Sequence, residues 1–204
     1  MDKKVAVVAG ATGLVGQELV RQLCASSQHS AVIAFARNPQ PLSLLVKSEK
    51  LVVRPLPSGD DIIVGDEFYC TLGTTIKRAG SRQAFAAVDY DLVLDLAKRA
   101  KAGGVGRVVV VTSVGSNSNS KNFYLRVKGQ IERALMALGL QRLEIFRPSL
   151  LLGHRGELRP LERLGVLSAP VISRLMFGGL SKYRPIDARE LARKMIASEP
   201  VSGE

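Results

Sequence analysis

Apolar residues in this 204-residue chain come as short β-branched runs separated by longer stretches of helical period. Lys4 to Ala9 reads Lys-Val-Ala-Val-Val-Ala, apolar on both faces, and so predicts a strand buried within a parallel sheet. A helix is predicted over 14–24, with Leu19, Val20 and Leu23 along one side. Strands follow at 31–36, 51–54 and 67–72. A long helix over 81–102 ends at Gly103-Gly104, as helices commonly end on glycine. Residues 107–112, Arg-Val-Val-Val-Val-Thr, give the strongest strand signal, a helix over 122–138 stops at Gly139, and a strand over 142–146 stops before Pro148. Alternation at this spacing predicts βαβ units, hence an α/β, doubly wound parallel sheet with helices on both faces. Residues 1–148 form this domain. From 149 onward the strand signal fades, and 149–204, ending in a helix over 188–197, is expected to be a short C-terminal cap over the carboxyl ends of the strands.

The first strand runs straight into Gly10-Ala11-Thr12-Gly13-Leu14-Val15-Gly16 and then into the first helix. Gly10 suits a tight turn, Gly13 lets a pyrophosphate approach the backbone, and Gly16 lets helix and strand pack closely. The helix start offers unpaired N–H groups and the positive end of its dipole to an anion. Glycines at this spacing are weak evidence alone; between a buried strand and a helix they predict a dinucleotide site. The second strand ends in Phe35-Ala36-Arg37-Asn38, with no carboxylate to hold ribose hydroxyls. Arg37, unless it is an ordinary surface arginine, can pair with a 2′-phosphate, so NADP(H) is preferred over NAD(H).

Tyr124 and Lys128 stand at i and i+4, on one helix face. An ammonium beside a phenol makes the phenol a usable proton donor or acceptor. This helix follows the strand that ends in Thr112 and Ser113, and Ser113 is placed to hydrogen-bond a carbonyl oxygen. Ser116, Ser118 and Ser120 crowd the same loop, so the choice of serine stays open. His29 and His154 read as loop residues, Cys24 and Cys70 as small buried hydrophobes, and Asp60-Asp61 as a turn; no spacing suggests a metal site.

Composition narrows the class. With 46% hydrophobic and 23% charged residues the chain is neither disordered nor a coiled coil, and its length suits a single domain. No apolar run approaches the roughly 18–20 residues of a membrane span. The basic start at Lys3-Lys4 precedes an apolar stretch too short for a secretory signal, so a soluble, cytoplasmic protein is expected. Residues 98–204 carry 19 Lys/Arg against 8 Asp/Glu, which accounts for the whole net charge of +11. These cations are scattered singly, so nucleic acid is not expected as a partner; a solvated basic face, partly aimed at a phosphate-rich cofactor, is.

Several motifs together resemble a known group: Gly10 to Gly16, Cys70-Thr-Leu-Gly-Thr-Thr75, Ala100-Lys-Ala-Gly-Gly104, Asn122-Phe-Tyr-Leu-Arg-Val-Lys-Gly129, Phe146-Arg-Pro-Ser-Leu-Leu-Leu152 and Arg155-Gly-Glu-Leu-Arg-Pro160. In this order, over nearly the whole chain, they are similar to the atypical short-chain dehydrogenases/reductases, specifically the family of the Tat-interacting oxidoreductase and its bacterial relatives. The resemblance implies a Rossmann-type domain binding NADP(H) through Gly10, Thr12, Gly13, Leu14, Val15, Gly16, Arg37, Leu72, Gly73, Thr112, Lys128 and Leu151, with Arg159 touching the cofactor phosphates. It implies Tyr124 as proton donor/acceptor, Lys128 as its partner and Ser113 as carbonyl ligand. Asp89 stands where many members of the wider superfamily carry an asparagine of a proton relay, a departure that puts the relay in doubt. The expected function is an NADP(H)-dependent oxidoreductase acting on a small carbonyl or hydroxyl compound. The alternative is an NADPH-binding redox sensor without turnover, acting through a protein partner that these residues do not identify.

Overall fold

The computed structural model describes residues 3–36, 38, 42, 46–149, 151–152 and 185–198. Six parallel strands form one sheet in the order β3-β2-β1-β4-β5-β6: β1 Lys4–Ala9, β2 His29–Phe35, β3 Leu51–Arg54, β4 Glu67–Cys70, β5 Arg107–Val111 and β6 Leu143–Phe146. The direction of winding reverses between β1 and β4, and such sheets bind ligands in the crevice outside that point. This is the doubly wound sheet that the alternating pattern predicts. Helix α1 (Leu14–Ala25) follows β1, and a short α2 (Ile76–Ala79), absent from the sequence reading, follows β4. The long helix α3 runs through Arg82–Ala86 and Val93–Ala102, joined by a π-helical stretch Ala87–Leu92. Helix α4 is Phe123–Ala137. A two-stranded sheet pairs β7 (Leu151–Leu152) with β8 (Ile186–Asp187), and α5 (Ala188–Ala197) closes the described chain.

Both sheet faces are covered, as the two-sided apolar strands require. On one face Val8, Leu19, Leu23, Val32, Leu191 and Met195 share a core; on the other Val7, Phe68, Leu96, Val108, Ile131 and Leu135 do. Each such side chain contributes about 1.5–3 kcal/mol by leaving water. The cap expected over 149–204 lies mostly outside the described residues. Its described helix α5 packs against α1 and buries Ala188, Leu191, Ala192 and Met195. Cys24 and Cys70 are buried free thiols, and burial pushes Cys70 up to about 11. Ser58 and Asp61 close the turn expected at Asp60-Asp61. His154 lies outside the described residues.

His29 departs from the sequence reading. It opens β2 rather than lying in a loop, is buried, and places Nε2 3.2 Å from Glu67 Oε2. A polar residue at a strand's first position was read as loop because its partner comes 38 residues later. Glu67 gathers a network at the amino ends of the strands. Lys4 Nζ reaches its Oε1 at 2.7 Å and the Tyr69 hydroxyl donates to Oε2 at 2.7 Å. Arg107 donates to the Tyr69 oxygen at 2.8 Å, to both oxygens of Glu144 at 2.9 and 2.7 Å, and to the Met195 carbonyl of α5. Burial alone would raise Glu67's pKa. Hydrogen bonds from His29, Lys4 and Tyr69 and the charge of Arg107 outweigh it and hold the carboxyl well below its usual range. Glu144 is likewise lowered, burial being outweighed by Arg107 and Arg142.

Arg107, 8% exposed, therefore neutralises two carboxylates and ties α5 to the sheet. Replacing it with methionine leaves Glu67 to Lys4, His29 and Tyr69 and Glu144 to Arg142 but removes the link to α5, and Arg107→Met is expected to lose about 2–4 kcal/mol in urea unfolding. A loss below about 1 kcal/mol would contradict this role. Because Glu67 and Glu144 are depressed in the folded state, their contribution is fully present above the unfolded carboxylate value of about 4.3 and is lost as pH falls below it. The wild-type urea midpoint should therefore drop steeply below about pH 4, and more steeply than that of Arg107→Met.

Candidate active site

The turn after β1 is built by close backbone approach. Gly10 takes φ +80°, and a Cβ there would lie 2.7–2.8 Å from the backbone of Thr71 and Leu72 after β4. A Cβ on Gly16 would lie 2.1 Å from the Gly10 carbonyl oxygen, so α1 can start against the turn only with glycine at 16. The Gly13 N–H donates to the Gly10 oxygen at 2.9 Å, and Gly13 caps α1 without a side chain. Val15 enters the core, Leu14 packs on its rim, and Thr12 is exposed, its carbonyl accepting from Gln17 Nε2 at 3.0 Å. The first-turn amides of α1 face the crevice with no side-chain cap, the arrangement that receives an anion.

Beside this turn, β4 leads into Leu72 and exposed Gly73. A Cβ on Gly73 would lie 3.5 Å from Asp89 Oδ1 and 3.7 Å from Lys128 Nζ. Lys128 and Asp89 form a buried ion pair at 2.8 Å, their side chains 5% and 0% exposed. Asp89 also accepts the Thr74 N–H at 2.9 Å. It sits in the π-helical part of α3, the one interruption in an otherwise α-helical run, and such bulges recur at functional sites. Asp89 is thus a positioning residue that holds the Lys128 ammonium against the Leu72–Gly73 turn.

Tyr124, one turn before Lys128 on α4, is half-buried, its ring 5.5 Å from that of fully buried Phe85. Thr112, at the end of β5, turns its hydroxyl to Glu132 Oε1, and Arg147 grips both oxygens of Glu132 at 3.0 Å. Ser113 is half-buried, and its hydroxyl makes one long bond, 3.3 Å, to the Val114 carbonyl. The rival serines have definite duties. Ser116 donates to the Ser113 carbonyl at 2.6 Å, Ser118 accepts from Arg133, and Ser120 accepts the Asn122 N–H. Their loop is pressed onto α4 where a Cβ on Gly129 would lie 2.2 Å from the Ser118 nitrogen. Leu151 pairs with Ile186 and packs at the rim of the core. Arg37 and Arg159 lie outside the described residues.

The structure thus brings Gly10 to Gly16, Leu72, Gly73, Lys128 and Asp89 to one crevice. Sequence reading missed Phe85, the Glu132–Arg147 clamp and the packing duty of Gly129. For Glu132 and Gly129 a signal existed: i and i+4 spacing puts Glu132 on the face of Lys128, and Gly129 follows Lys128 in an otherwise good helix former's run.

A parallel sheet in this order with a glycine turn at the reversal point defines a Rossmann-type domain. Residues 25–176 match the HIM1 family, and the chain belongs to it. It is 38% identical over 158 residues to "Protein FMP52, mitochondrial" of Candida glabrata, covering 76% of this chain and 67% of that protein. It is 34% identical over 174 residues to "Protein HTATIP2" of Rattus norvegicus, covering 80% and 69%. The latter relative bears out the resemblance drawn from the motifs. Among solved structures, the Bordetella bronchiseptica enzyme WbmH in complex with NAD+ matches with a TM-score of 0.69 over 96% of this chain and 72% of that one, at 16% identity, a likeness of fold. The cytoplasmic expectation is overturned: relatives matched over about two thirds of their length are named mitochondrial proteins. Reduced cysteines and the lack of a membrane-spanning helix among the described residues suit more than one compartment, so the residues behind that expectation could not decide it.

Removing one member of the buried pair strands the other. Lys128→Met should lose about 3–5 kcal/mol in urea unfolding, and Lys128→Met/Asp89→Leu should recover much of it. A double variant no more stable than the single one would show that the pair is not what the site rests on.

Proposed function

We propose that this protein is an NADP(H)-dependent oxidoreductase acting on a small carbonyl or hydroxyl compound. The observation that carries the reading is the crevice itself. The glycine turn of β1 and Lys128 of α4 meet across the Leu72–Gly73 turn, with Lys128 Nζ 3.7 Å from where a Cβ at 73 would lie, and Tyr124 stands one turn earlier on the same helix. A nicotinamide nucleotide fits these residues: a cradle of missing Cβ atoms for the diphosphate and a fixed ammonium for the ribose beyond it. When bound, it exchanges a hydride with the substrate carbon, so that carbonyl, NADPH and a proton become alcohol and NADP+.

The chain's own residues do the rest. The first-turn amides of α1 hold the diphosphate. Tyr124 gives its phenolic proton to the carbonyl oxygen in reduction and takes it back in oxidation. Lys128 stabilises the phenolate by its charge, and Asp89 keeps the ammonium in place. Ser113, whose hydroxyl is the least committed of the loop serines, orients the oxygen. The NADP(H) preference is supported by the sequence after β2, where Arg37 follows Ala36 and no carboxylate does.

Tyr124→Phe should lower turnover of an aldehyde panel by about 10²–10⁴-fold while NADPH still binds, as read by fluorescence titration. Unchanged turnover would defeat the mechanism, and silence of the wild type towards every aldehyde and ketone despite cofactor binding would favour the redox sensor. NADPH should bind more tightly than NADH, and Arg37→Ala should erase the difference; equal affinities in the wild type would refute the cofactor assignment.

A further inference from the structure

Ser113 and Tyr124 stand on different elements, yet the proposed reaction needs both hydroxyls at fixed positions around one carbonyl oxygen. Ser113 lies two positions past Val111, the last residue of β5. Its neighbours on either side are held by main-chain bonds to the end of β6 and the residues after it. The Thr112 N–H donates to the Phe146 carbonyl at 2.8 Å, and the Val114 N–H to the Pro148 carbonyl at 3.0 Å.

One cluster of side chains ties this pair of segments to α4. Glu132 of α4 and Thr112 are each 6% exposed. Glu132 Oε1 accepts from the Thr112 hydroxyl and from Arg147 Nε at 3.0 Å, and its Oε2 accepts from Arg147 Nη2 at 3.0 Å. Thr112 directly precedes Ser113, and Glu132 follows Tyr124 and Lys128 at four-residue intervals, on the same helix face. A single carboxylate therefore joins the chain that carries the serine to the helix that carries the tyrosine and lysine. Further along, the same loop is fixed to the same helix. The Asn117 N–H donates to the Leu125 carbonyl at 3.1 Å, and the missing Cβ of Gly129 makes room for the Ser118 main chain. Apolar residues could pack α4 on the sheet as firmly; hydrogen bonds add direction and register. Arg147 already neutralises Glu132, so the Thr112 hydroxyl is not needed to balance its charge.

We propose that Thr112 is a positioning residue: bonded to Glu132, it fixes the Ser113 hydroxyl relative to Tyr124 and acts on the reaction through Ser113. This rests on the reading of the crevice as an oxidoreductase site. The Thr112 hydroxyl is then engaged by Glu132 and not by the cofactor.

Thr112→Val removes the hydroxyl at nearly constant shape and leaves Arg147 on both oxygens of Glu132, so the variant is expected to fold; Thr112→Ala takes its place in every assay if a thermal melt shows otherwise. With NADPH saturating, Thr112→Val should lower kcat for an aldehyde about tenfold while KM stays within about twofold. Thr112→Ser, which keeps the hydroxyl, should retain most of the wild-type kcat. Adding Thr112→Val to Ser113→Ala should cost nothing further, because the group to be positioned is gone. A clamp that served stability alone would slow the reaction equally with or without the serine. Wild-type kcat in Thr112→Val, no rescue by Thr112→Ser, or the same loss again in Ser113→Ala overturns the proposal. So does a loss of NADPH affinity, read by fluorescence titration, that accounts for the slower turnover and gives the hydroxyl to the cofactor. If the wild type turns over no aldehyde or ketone, the oxidoreductase reading fails, and hydrogen exchange at the Val114 amide tests the positioning by itself. Faster exchange in Thr112→Val then upholds the hold on Ser113, and unchanged exchange overturns it.

Discussion

The structure depends on a point where two stretches of backbone come closer than any side chain allows. At the carboxyl ends of β1 and β4, Gly10 lies against Thr71 and Leu72, and Gly16 lies against the Gly10 carbonyl. A methyl group at either position would meet main-chain atoms, which cannot swing aside as a side-chain tip can. The tight passage sets where α1 begins, leaves its first amides without a side-chain cap, and brings the turn after β4 alongside the turn after β1. The crevice at the reversal of the sheet follows from this contact, and so does every residue arrayed around it.

The second constraint is electrostatic. Lys128 lies on the inward face of α4, where an unpaired ammonium would be costly, and the helix across from it supplies Asp89. The π-helical stretch of α3 adds a residue's worth of backbone just there and places Asp89 within reach of both Lys128 and the Thr74 amide. A second buried network, around Glu67 and Arg107, does a structural job at the opposite ends of the strands, linking β4, β5, β6 and α5. Both networks pair buried carboxylates with cationic side chains. Their positions separate them: one borders the crevice and a glycine turn, the other lies at the amino ends of the strands, where such sheets do not bind ligands.

Much of this was legible in the chain. The strand at 4–9, the strand at 51–54 and the helix at 188–197 have the bounds that the apolar period predicted, and the glycine motif lay between strand and helix as required. Boundaries failed where pairing extended a strand past its apolar run, as at His29, or where a strand ended before it, as after Cys70. The long helix read as uniform because residues 87–92, Ala-Val-Asp-Tyr-Asp-Leu, contain no glycine or proline to mark the π-helical stretch. Asp89 was placed at the expected relay position, but its partner was not readable. The interaction spans 39 positions and appears only when the two helices are packed.

The amino-acid sequence by itself determined the period of strands and helices, the glycine turn and the Tyr124–Lys128 spacing, because these are local: neighbours within a few residues decide them through sterics and hydrogen bonding. Only the tertiary structure decided which charges neutralise which, that Thr112 spends its hydroxyl on Glu132, and that Gly129 yields to a loop. Those outcomes depend on distances between residues far apart in the chain, and packing alone sets such distances.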